Sequence, residues 1–412
     1  MRRRVVVTGM GGVSPIGNSL EEIFTSIKTS KSGIDRITSF NTDDFQVKLA
    51  GQVKDLDFEK YLDKKSLRRM DRVNIFGLIA GIKAVEDSCL DLENLDRDRL
   101  GVYLSTGIGG LETIESEKEK EMTNGYEKIS PFFIPMAIGN LTASHLASHF
   151  GLHGTCICPV TACAGSNSAI GEGYRSIKDG YSDIILAGGA EASITPLGIG
   201  GFSSMKALSR ETDKERASIP FDKERSGFVM GEGAGVLVLE ELESARARGA
   251  KIYGEILGYG STCDAGHITQ PNPEGIFAAK AMENAIIEGD IHKKDVNYIN
   301  AHGTSTPLND KYETVAIKRL FGEKYKDIFV SSTKSMTGHL LGASGAIEAI
   351  ITLLSMDSGI IPPNANYRNK DEECDLNLVE NTYIEKKVDY ALSNSLGFGG
   401  HNVSILFKRW DE

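Results

Sequence analysis

Short apolar runs that end next to glycine alternate along the chain with longer stretches of helical character. The apolar runs occupy residues 5–8, 100–106 and 184–187, and two of the helical stretches occupy residues 73–87 and 166–177. Strands that alternate with helices in this way indicate an α/β protein. The pattern therefore predicts largely buried sheets covered by helices.

The same order of parts occurs twice. In the first half, a strand precedes a small-residue helix near Cys163 and a later strand that closes on paired glycines, and the second half repeats this order around His339. We therefore predict two similar lobes. Residues 1–250 form the N-terminal lobe that carries Cys163, and residues 251–412 form the C-terminal lobe that carries the two histidines discussed below. The charged helix 240–248 is the expected boundary.

Composition narrows the class of protein. Of 412 residues, 40% are apolar and 25% charged, as in globular proteins, and the net charge of −11 argues against non-specific nucleic-acid binding. No apolar stretch approaches the ~20 residues that span a bilayer, and no signal-peptide core is present. The six cysteines are scattered without a CxxC pair, which is typical of a reducing compartment. We expect a cytoplasmic protein without nucleic-acid or membrane partners.

Cys163 lies where a short β-type run leads into a helix of small residues. Such a helix can pass through the centre of a protein because its neighbours approach its backbone closely. A cysteine in the first turn faces the positive end of the helix dipole, which stabilises a thiolate, and its own N–H is free to bind an oxyanion. The alternative is an ordinary buried cysteine.

Two histidines strengthen the catalytic interpretation. His302 follows an apolar strand, and His339 follows the strand 328–331 and precedes a second small-residue helix. Strand ends are where open α/β sheets place their ligands. Each histidine is flanked by glycine and hydroxyl residues at equivalent points of the two predicted lobes, which makes a purely structural role for both less plausible.

Four separated motifs carry a family resemblance: Thr161-Ala-Cys163-Ala, the His-Gly-Thr-Ser-Thr-Pro run from His302, Lys334-Ser-Met-Thr-Gly-His339 and Gly397-Phe-Gly-Gly400. In order and spacing the chain resembles, over essentially its whole length, the β-ketoacyl-[acyl-carrier-protein] synthases, specifically the type II elongating enzymes of dissociated fatty acid synthesis. The resemblance implies a thiolase-like fold, a duplicated two-lobe αβαβα sandwich of five layers that works as a homodimer.

The resemblance also implies an acyltransferase mechanism. Cys163 carries the acyl group as a thioester, and malonyl on acyl carrier protein loses carbon dioxide to give the carbanion that attacks it. The N–H groups of Cys163 and Phe398 form the oxyanion hole, and His302 and His339 stabilise the enolate. No cofactor is implied, because phosphopantetheine arrives on the carrier protein. A polyketide-type ketosynthase of the same mechanism stays open as an alternative.

Further roles follow from the same motifs. Lys334 and Glu313 resemble a charge pair that orders the site, with Asp310 and Glu348 at further matched positions. Phe398 gates acyl entry. The remaining substrate-binding positions are the threonines that bind the phosphopantetheine amides and the residues of the acyl pocket and gate: Thr304, Thr306, Ile108, Phe202, Gly399 and Phe133, the last reaching in from the partner subunit. His401 departs from the threonine that many relatives have beside the gate.

A basic cluster with helical spacing interrupts the acidic chain: Lys64, Lys65, Arg68, Arg69 and Arg72. Such a charge run is usually a solvated helix face. The resemblance implies instead that this region, extended by Lys206, docks the acidic helix of acyl carrier protein by electrostatic steering.

Other functions fit less well. A papain-like hydrolase lacks its local cysteine signature here and leaves His339 without a role. A degradative thiolase needs a second cysteine where Phe398 stands, an initiating, coenzyme-A-using synthase has asparagine in place of His339, and a non-catalytic chain-length subunit lacks the nucleophile. Neither Cys163 with the two histidines nor His153, Cys156 and Cys158 has the spacing of a zinc site, so no metal is expected. The glycines near residue 11 form only half a dinucleotide fingerprint.

Overall fold

The computed structural model describes residues 3–411, so residues 1–2 and 412 of the predicted lobes lie outside the described part. The strands are β1 Val5–Val13, β2 Ile34–Arg36, β3 Leu49–Gly51, β4 Leu100–Ser105, β5 Cys156–Ile157, β6 Ile184–Glu191, β7 Gly233–Glu241, β8 Gly254–Cys263, β9 Tyr298–Asn300, β10 Phe329–Ser331, β11 Ile360–Ile361, β12 Asn377–Leu378, β13 Ile384–Glu385, β14 Tyr390–Gly397 and β15 His401–Arg409.

The α-helices are α1 Leu20–Lys28, α2 Lys64–Leu67, α3 Arg72–Ser88, α4 Leu111–Asn124, α5 Phe133–Ala137, α6 Leu141–Phe150, α7 Gly165–Lys178, α8 Pro196–Ser204, α9 Leu242–Ala247, α10 Ile276–Glu288, α11 Pro307–Phe321, α12 Lys334–Thr337 and α13 Ser344–Ser358. Two short 3-10 turns precede the central helices, Ala162–Ala164 before α7 and Leu341–Ala343 before α13. No helix within residues 3–411 is long and apolar enough to cross a membrane.

The strand order repeats the duplication expected from the sequence. The large sheet runs β12-β10-β9-β14-β15-β8-β1-β7-β6-β4-β5. Numbered within its own half, each half has its strands in the order third, second, fourth, fifth, first, and β12 adds one edge strand. The halves meet where β1 pairs antiparallel with β8 over three residue pairs. Because the two halves share one sheet, the boundary near residue 250 stays a prediction.

Three apolar clusters define the layers. One cluster joins α3 and α6 to the outer face of the N-terminal half, and another joins α10 and α11 to the outer face of the C-terminal half. The third contains α7 and α13 together with residues of both halves of the sheet. The layers are therefore helices, sheet, central helices, sheet and helices, and the predicted five-layer αβαβα sandwich is confirmed.

Glycine allows the outer helices to lie directly on the first strand of each half. A Cβ at Gly11 in β1 would lie 2.0 Å from the Ala80 carbonyl oxygen of α3, and a Cβ at Gly260 in β8 would lie 1.8 Å from the Ala281 carbonyl oxygen of α10. Both contacts are too short for any side chain. The glycines inside the apolar runs thus mark backbone contact between layers.

Candidate active site

A cavity of about 300 Å³ opens where the two halves meet, and both halves contribute to its wall. Cys163 comes from the turn before α7, His302 from the segment after β9, His339 from the segment after α12 and Phe398 from the loop after β14. The structure therefore brings together the nucleophile, both histidines and the gate residue that the motifs indicate.

Cys163 is only 8% exposed in a turn whose first residue, Ala162, is left-handed with φ +50°. Burial raises the pKa of the Cys163 thiol to about 11, although the Lys334 charge and hydrogen bonds from the Phe398 and Cys163 N–H groups lower it. The thiolate expected from the helix dipole is thus corrected to a thiol in the free protein. The reason is that desolvation of a buried sulfur outweighs the nearby donors.

His302 is positioned through its backbone. Glu313 of α11 accepts hydrogen bonds from the N–H groups of His302 and Gly303, each at 2.8 Å. The buried Nδ1 of His302 has no hydrogen-bond partner among the described residues. An unpaired acceptor costs less than an unpaired N–H here, so we assign the ring proton to Nε2.

His339 presents the same nitrogen to the cavity. Its Nδ1 lies 2.9 Å from the Ser344 hydroxyl oxygen, a pair in which either atom can donate. We assign the hydroxyl as the donor, as for the matching tautomer of His302, which puts the ring proton on Nε2. The His302 and His339 ring centroids are 5.2 Å apart, and Phe228 packs edge-on against His339 at 5.2 Å. Burial, together with the Lys334 charge, holds the pKa of both imidazoles well below the usual range. Both rings are neutral donors at neutral pH.

Lys334 forms its ion pair with Glu348 of α13. The charge pair predicted between Lys334 and Glu313 is not a direct ion pair: Glu313 accepts the two backbone N–H groups after β9, and the Lys334 charge acts on its carboxyl from a greater distance. Burial raises the pKa of Glu348, and the Lys334 charge opposes that rise. Lys334 lies behind the cavity wall and acts on Cys163 and the histidines through its charge. Asp310 accepts a hydrogen bond from the Phe221 N–H and pairs with Arg225 at 3.7 Å.

The loop after β14 approaches the nucleophile through its backbone. A Cβ at Gly397 would lie 3.3 Å from the Cys163 nitrogen, and Gly399 and Gly400 are left-handed, with φ +87° and +79°. The Phe398 N–H is thereby directed at the sulfur. His401 lies beside this loop, where a Cβ at Gly399 would be 3.1 Å from its ring.

Further predicted residues line the entrance. Thr304 and Thr306 face the cavity with their hydroxyl oxygens 2.9 Å apart, and Phe202 packs 6.4 Å from the Phe398 ring. Lys206 lies at the mouth. Three predicted substrate-binding residues do not line the cavity within the described part of the chain: Ile108, Phe133 and Gly399. Ile108 is 39% exposed.

The basic cluster is smaller than the sequence indicates. Arg72 pairs with buried Glu232 at 2.7 Å and stacks on Phe76, so it is a structural residue. The exposed members are those at and just after α2: Lys64, Lys65, Arg68 and Arg69, with Arg69 stacked on Phe132.

Sequence reasoning missed several wall residues. Phe228 packs on both Phe202 and His339. The Asp264 carboxylate accepts a hydrogen bond from the Asn402 side-chain amide at 2.7 Å, and the Asp264 backbone N–H donates to the Gly400 carbonyl oxygen at 2.8 Å. No local motif marks either residue. Asp264 could have been suspected from its place at the end of β8, which pairs with β15 next to the gate.

The arrangement suits acyl transfer followed by carbon–carbon bond formation. It offers a sulfur nucleophile, two neutral N–H donors and backbone N–H groups at the sulfur, with Cys163 and both histidines buried. Within residues 3–411, no group of three or more His, Cys, Asp or Glu side chains is arranged to hold a metal ion.

Comparison with protein families gives two adjacent matches. Residues 2–245 match the family model described as beta-ketoacyl synthase, N-terminal domain, and residues 253–368 match beta-ketoacyl synthase, C-terminal domain.

Individual relatives agree over the full length. The chain is 48% identical over 410 residues to 3-oxoacyl-[acyl-carrier-protein] synthase 2 of Synechocystis and 47% identical over 409 residues to the protein of that name from Staphylococcus aureus, with 99% of both chains covered in each case. A solved type II polyketide synthase acyl-carrier protein in complex with its ketosynthase, bound to a hexaketide, superposes with a TM-score of 0.93 at 33% identity and full coverage of both chains.

Replacing Lys334 by Met tests the electrostatic account of the nucleophile. Without the cation the pKa of the Cys163 thiol rises further, so we expect alkylation by iodoacetamide at pH 8 to slow by about tenfold or more. Wild-type alkylation should keep rising beyond pH 9. Lys178→Met, which breaks the Lys178–Glu288 pair elsewhere, is the matched control and should alkylate Cys163 normally. Equal rates in both variants would contradict the account.

Proposed function

The chain belongs to the beta-ketoacyl synthase family, and from this premise we propose how its residues extend acyl chains. The protein is a 3-oxoacyl-[acyl-carrier-protein] synthase of the second type, an acyltransferase that lengthens fatty acids by two carbons. One observation carries the assignment of roles. A single cavity holds the Cys163 sulfur, with the Phe398 N–H directed at it, and the neutral rings of His302 and His339.

The first half-reaction loads the enzyme. The Cys163 sulfur attacks the thioester carbon of an acyl-carrier protein, and the carbonyl oxygen takes up negative charge between the Cys163 and Phe398 N–H groups. The thiol proton passes to the leaving phosphopantetheine sulfur, which departs as a thiol. The products are acyl-Cys163 and free carrier thiol, so atoms and charge balance.

The second half-reaction forms the new bond. Malonyl on a carrier protein loses its carboxylate as carbon dioxide, and the bonding electrons move into the thioester to give an enolate. The Nε2–H groups of His302 and His339 donate to the enolate oxygen, which is stabilised most where no water competes. The enolate carbon attacks acyl-Cys163, and the Cys163 sulfur leaves as a thiolate. One proton taken up from solvent restores the Cys163 thiol, so the condensation consumes one proton and releases one carbon dioxide.

The phosphopantetheine arm of the carrier protein is the only prosthetic group that these steps require. Thr304 and Thr306 line the cavity between its mouth and the histidines, where their hydroxyls can bind the amides of phosphopantetheine. We therefore assign no cofactor to the chain itself.

We propose acyl carrier protein as the partner and the exposed cluster Lys64, Lys65, Arg68 and Arg69 as its docking surface. These side chains are exposed on an otherwise acidic protein, and Lys206 lies at the cavity mouth. An acidic carrier would be steered toward this positive patch.

We also propose a homodimer built on β5. This strand is the edge of the large sheet, both of its residues are exposed, and apolar side chains nearby are exposed as well, including Ile134, Ile138 and Val160. Open sheet edges next to apolar surface favour pairing with another chain. Phe133, which begins α5, would then reach the acyl pocket of the partner beyond Ile108.

The fatty acid assignment is preferred to polyketide synthesis because the relatives at 47–48% identity are named 3-oxoacyl-[acyl-carrier-protein] synthase 2, whereas the ketosynthase of the type II polyketide complex is 33% identical. All six cysteines are free thiols, which fits a reducing compartment, and we propose the cytoplasm.

Mass spectrometry tests the roles of Cys163 and the histidines. After incubation with acyl-carrier protein, we expect one acyl mass on the peptide that contains Cys163, and malonyl-carrier protein should discharge it. His302→Ala and His339→Ala should still become acylated at long times because the backbone oxyanion hole remains, but discharge should slow by at least about 100-fold. The assignment fails if the acyl mass lies elsewhere, or if both variants discharge at the wild-type rate.

Charge reversal tests the docking surface. Lys65→Glu combined with Arg68→Glu should raise the KM for carrier protein about tenfold with little change in kcat, because steering and not chemistry is affected. Lys386→Glu combined with Lys387→Glu, two exposed residues of another surface, is the control. A KM equal to that of the control would place docking elsewhere.

Light scattering tests the dimer. Wild-type protein should have the mass of two chains, and Ile157→Asp should have the mass of one, because a buried unpaired carboxylate at the β5 edge is costly. A one-chain mass for the wild type would refute the homodimer.

A further inference from the structure

Glu191 is a buried carboxylate that the mechanism above does not use. It ends β6, is 0% exposed and lies close enough to Cys163 for its charge to affect the sulfur. No ion pair within residues 3–411 includes it; its contacts are all hydrogen bonds from N–H and O–H groups. Burial raises the pKa of the Glu191 carboxyl, and hydrogen bonds from surrounding donors oppose that rise. A buried charge without a cation needs such a built set of donors.

The donors come from both halves of the protein. One carboxylate oxygen accepts the N–H of Gly107 at 2.9 Å and the N–H of Gly342 at 3.1 Å, and the other accepts the Ser193 hydroxyl at 2.7 Å. The Ile108 N–H adds a further hydrogen bond. Neither glycine can be larger, since a Cβ at Gly107 would lie 2.6 Å from the carboxylate and one at Gly342 would lie 2.3 Å from the Gly107 nitrogen.

The turn that contains Gly342 is the counterpart of the turn that contains Cys163. Both are three-residue 3-10 turns directly before a central helix, and both begin with a left-handed residue that is not glycine, Ala162 at φ +50° and Leu341 at φ +46°. Cys163 and Gly342 are the middle residues. The Gly342 N–H thus corresponds to the Cys163 N–H that binds the oxyanion.

We propose that Glu191 is a positioning residue whose carboxylate permanently fills the duplicate anion site at Gly342, and so fixes the Gly107–Ile108 segment and the Leu341 turn around Cys163. The Glu191 carboxylate occupies the position at the Gly342 N–H that the reacting oxyanion occupies at the Cys163 N–H. Because Leu341 lines the cavity, Glu191 determines how well an acyl chain is seated while touching no substrate.

The proposal has an electrostatic consequence. The groups that act on the Cys163 sulfur are the cation of Lys334, the carboxylate of Glu191 and the N–H groups of Phe398 and Cys163. The neutral rings of His302 and His339 line the same cavity. The Glu191 charge raises the pKa of the thiol, so its removal lowers that pKa. A side chain with a merely structural role would leave the thiol titration unchanged.

Two variants separate the effect of the Glu191 charge from the effect of its side-chain length. Glu191→Gln keeps the size but loses the charge and one acceptor, whereas Glu191→Asp keeps the charge but shortens the arm. Glu240→Gln removes another fully buried carboxylate, that of Glu240 in β7, which pairs with Arg248. This variant controls for a general loss of stability. The two readouts are the pH midpoint of Cys163 alkylation by iodoacetamide, which is independent of the proposed function, and acyl transfer from carrier proteins with short and long chains, which rests on it.

We expect Glu191→Gln to lower the alkylation midpoint by about one pH unit and to reduce acyl transfer about tenfold or more for the longest chains. Glu191→Asp should reduce long-chain transfer with an unshifted midpoint, and this result decides the matter if Glu191→Gln does not fold. Glu240→Gln should change neither readout. A midpoint in Glu191→Gln equal to that of Glu240→Gln, or normal long-chain transfer in Glu191→Asp, would overturn the proposal. A shifted midpoint with no acyl transfer in the wild type would count against the proposed function instead.

Discussion

Close packing of the two turns before α7 and α13 is the constraint on which the site depends. A Cβ at Gly189 would lie 2.6 Å from the Gly342 carbonyl oxygen, and one at Gly345 would lie 2.7 Å from the Asn167 side chain. Polar contacts join the halves at the same depth, since Ser166 accepts the Ala346 N–H at 3.0 Å. Larger residues here would separate the halves and move the Cys163 sulfur away from the histidines, because these are supplied by the other half.

Burial at this junction also determines the protonation states. It outweighs the charge of Lys334 at Cys163, which stays a thiol, and it acts together with that charge to keep both imidazoles neutral. Neutral rings that direct Nε2–H toward the cavity donate hydrogen bonds to the enolate oxygen and do not take a proton from the substrate. The same desolvation that disfavours a free thiolate strengthens every donor once charge develops in the reaction.

The sequence allowed the layered fold, its duplication and the chemistry-bearing residues to be predicted, because those properties are local. Glycines after apolar runs mark the close contacts, and Cys163, His302 and His339 each lie in a recognisable motif at a turn or strand end. Properties that depend on distance could not be predicted. Glu313 and Glu348 both lie on helices after a histidine motif, and only the fold shows that Lys334 reaches Glu348. The pKa of Cys163, the structural role of Arg72 and the convergence of donors on Glu191 likewise depend on packing between distant segments.

The central claim is that the backbone of the two halves forms one oxyanion site at a sulfur facing two imidazoles. A crystal structure of the protein acylated on Cys163 tests it most directly. The account predicts the thioester carbonyl oxygen within hydrogen-bonding distance of both the Cys163 and Phe398 nitrogens, with both histidine Nε2 atoms facing the vacant carrier-arm side. A carbonyl oxygen directed away from those two nitrogens, or an acyl chain that displaces either imidazole from the cavity, would contradict it.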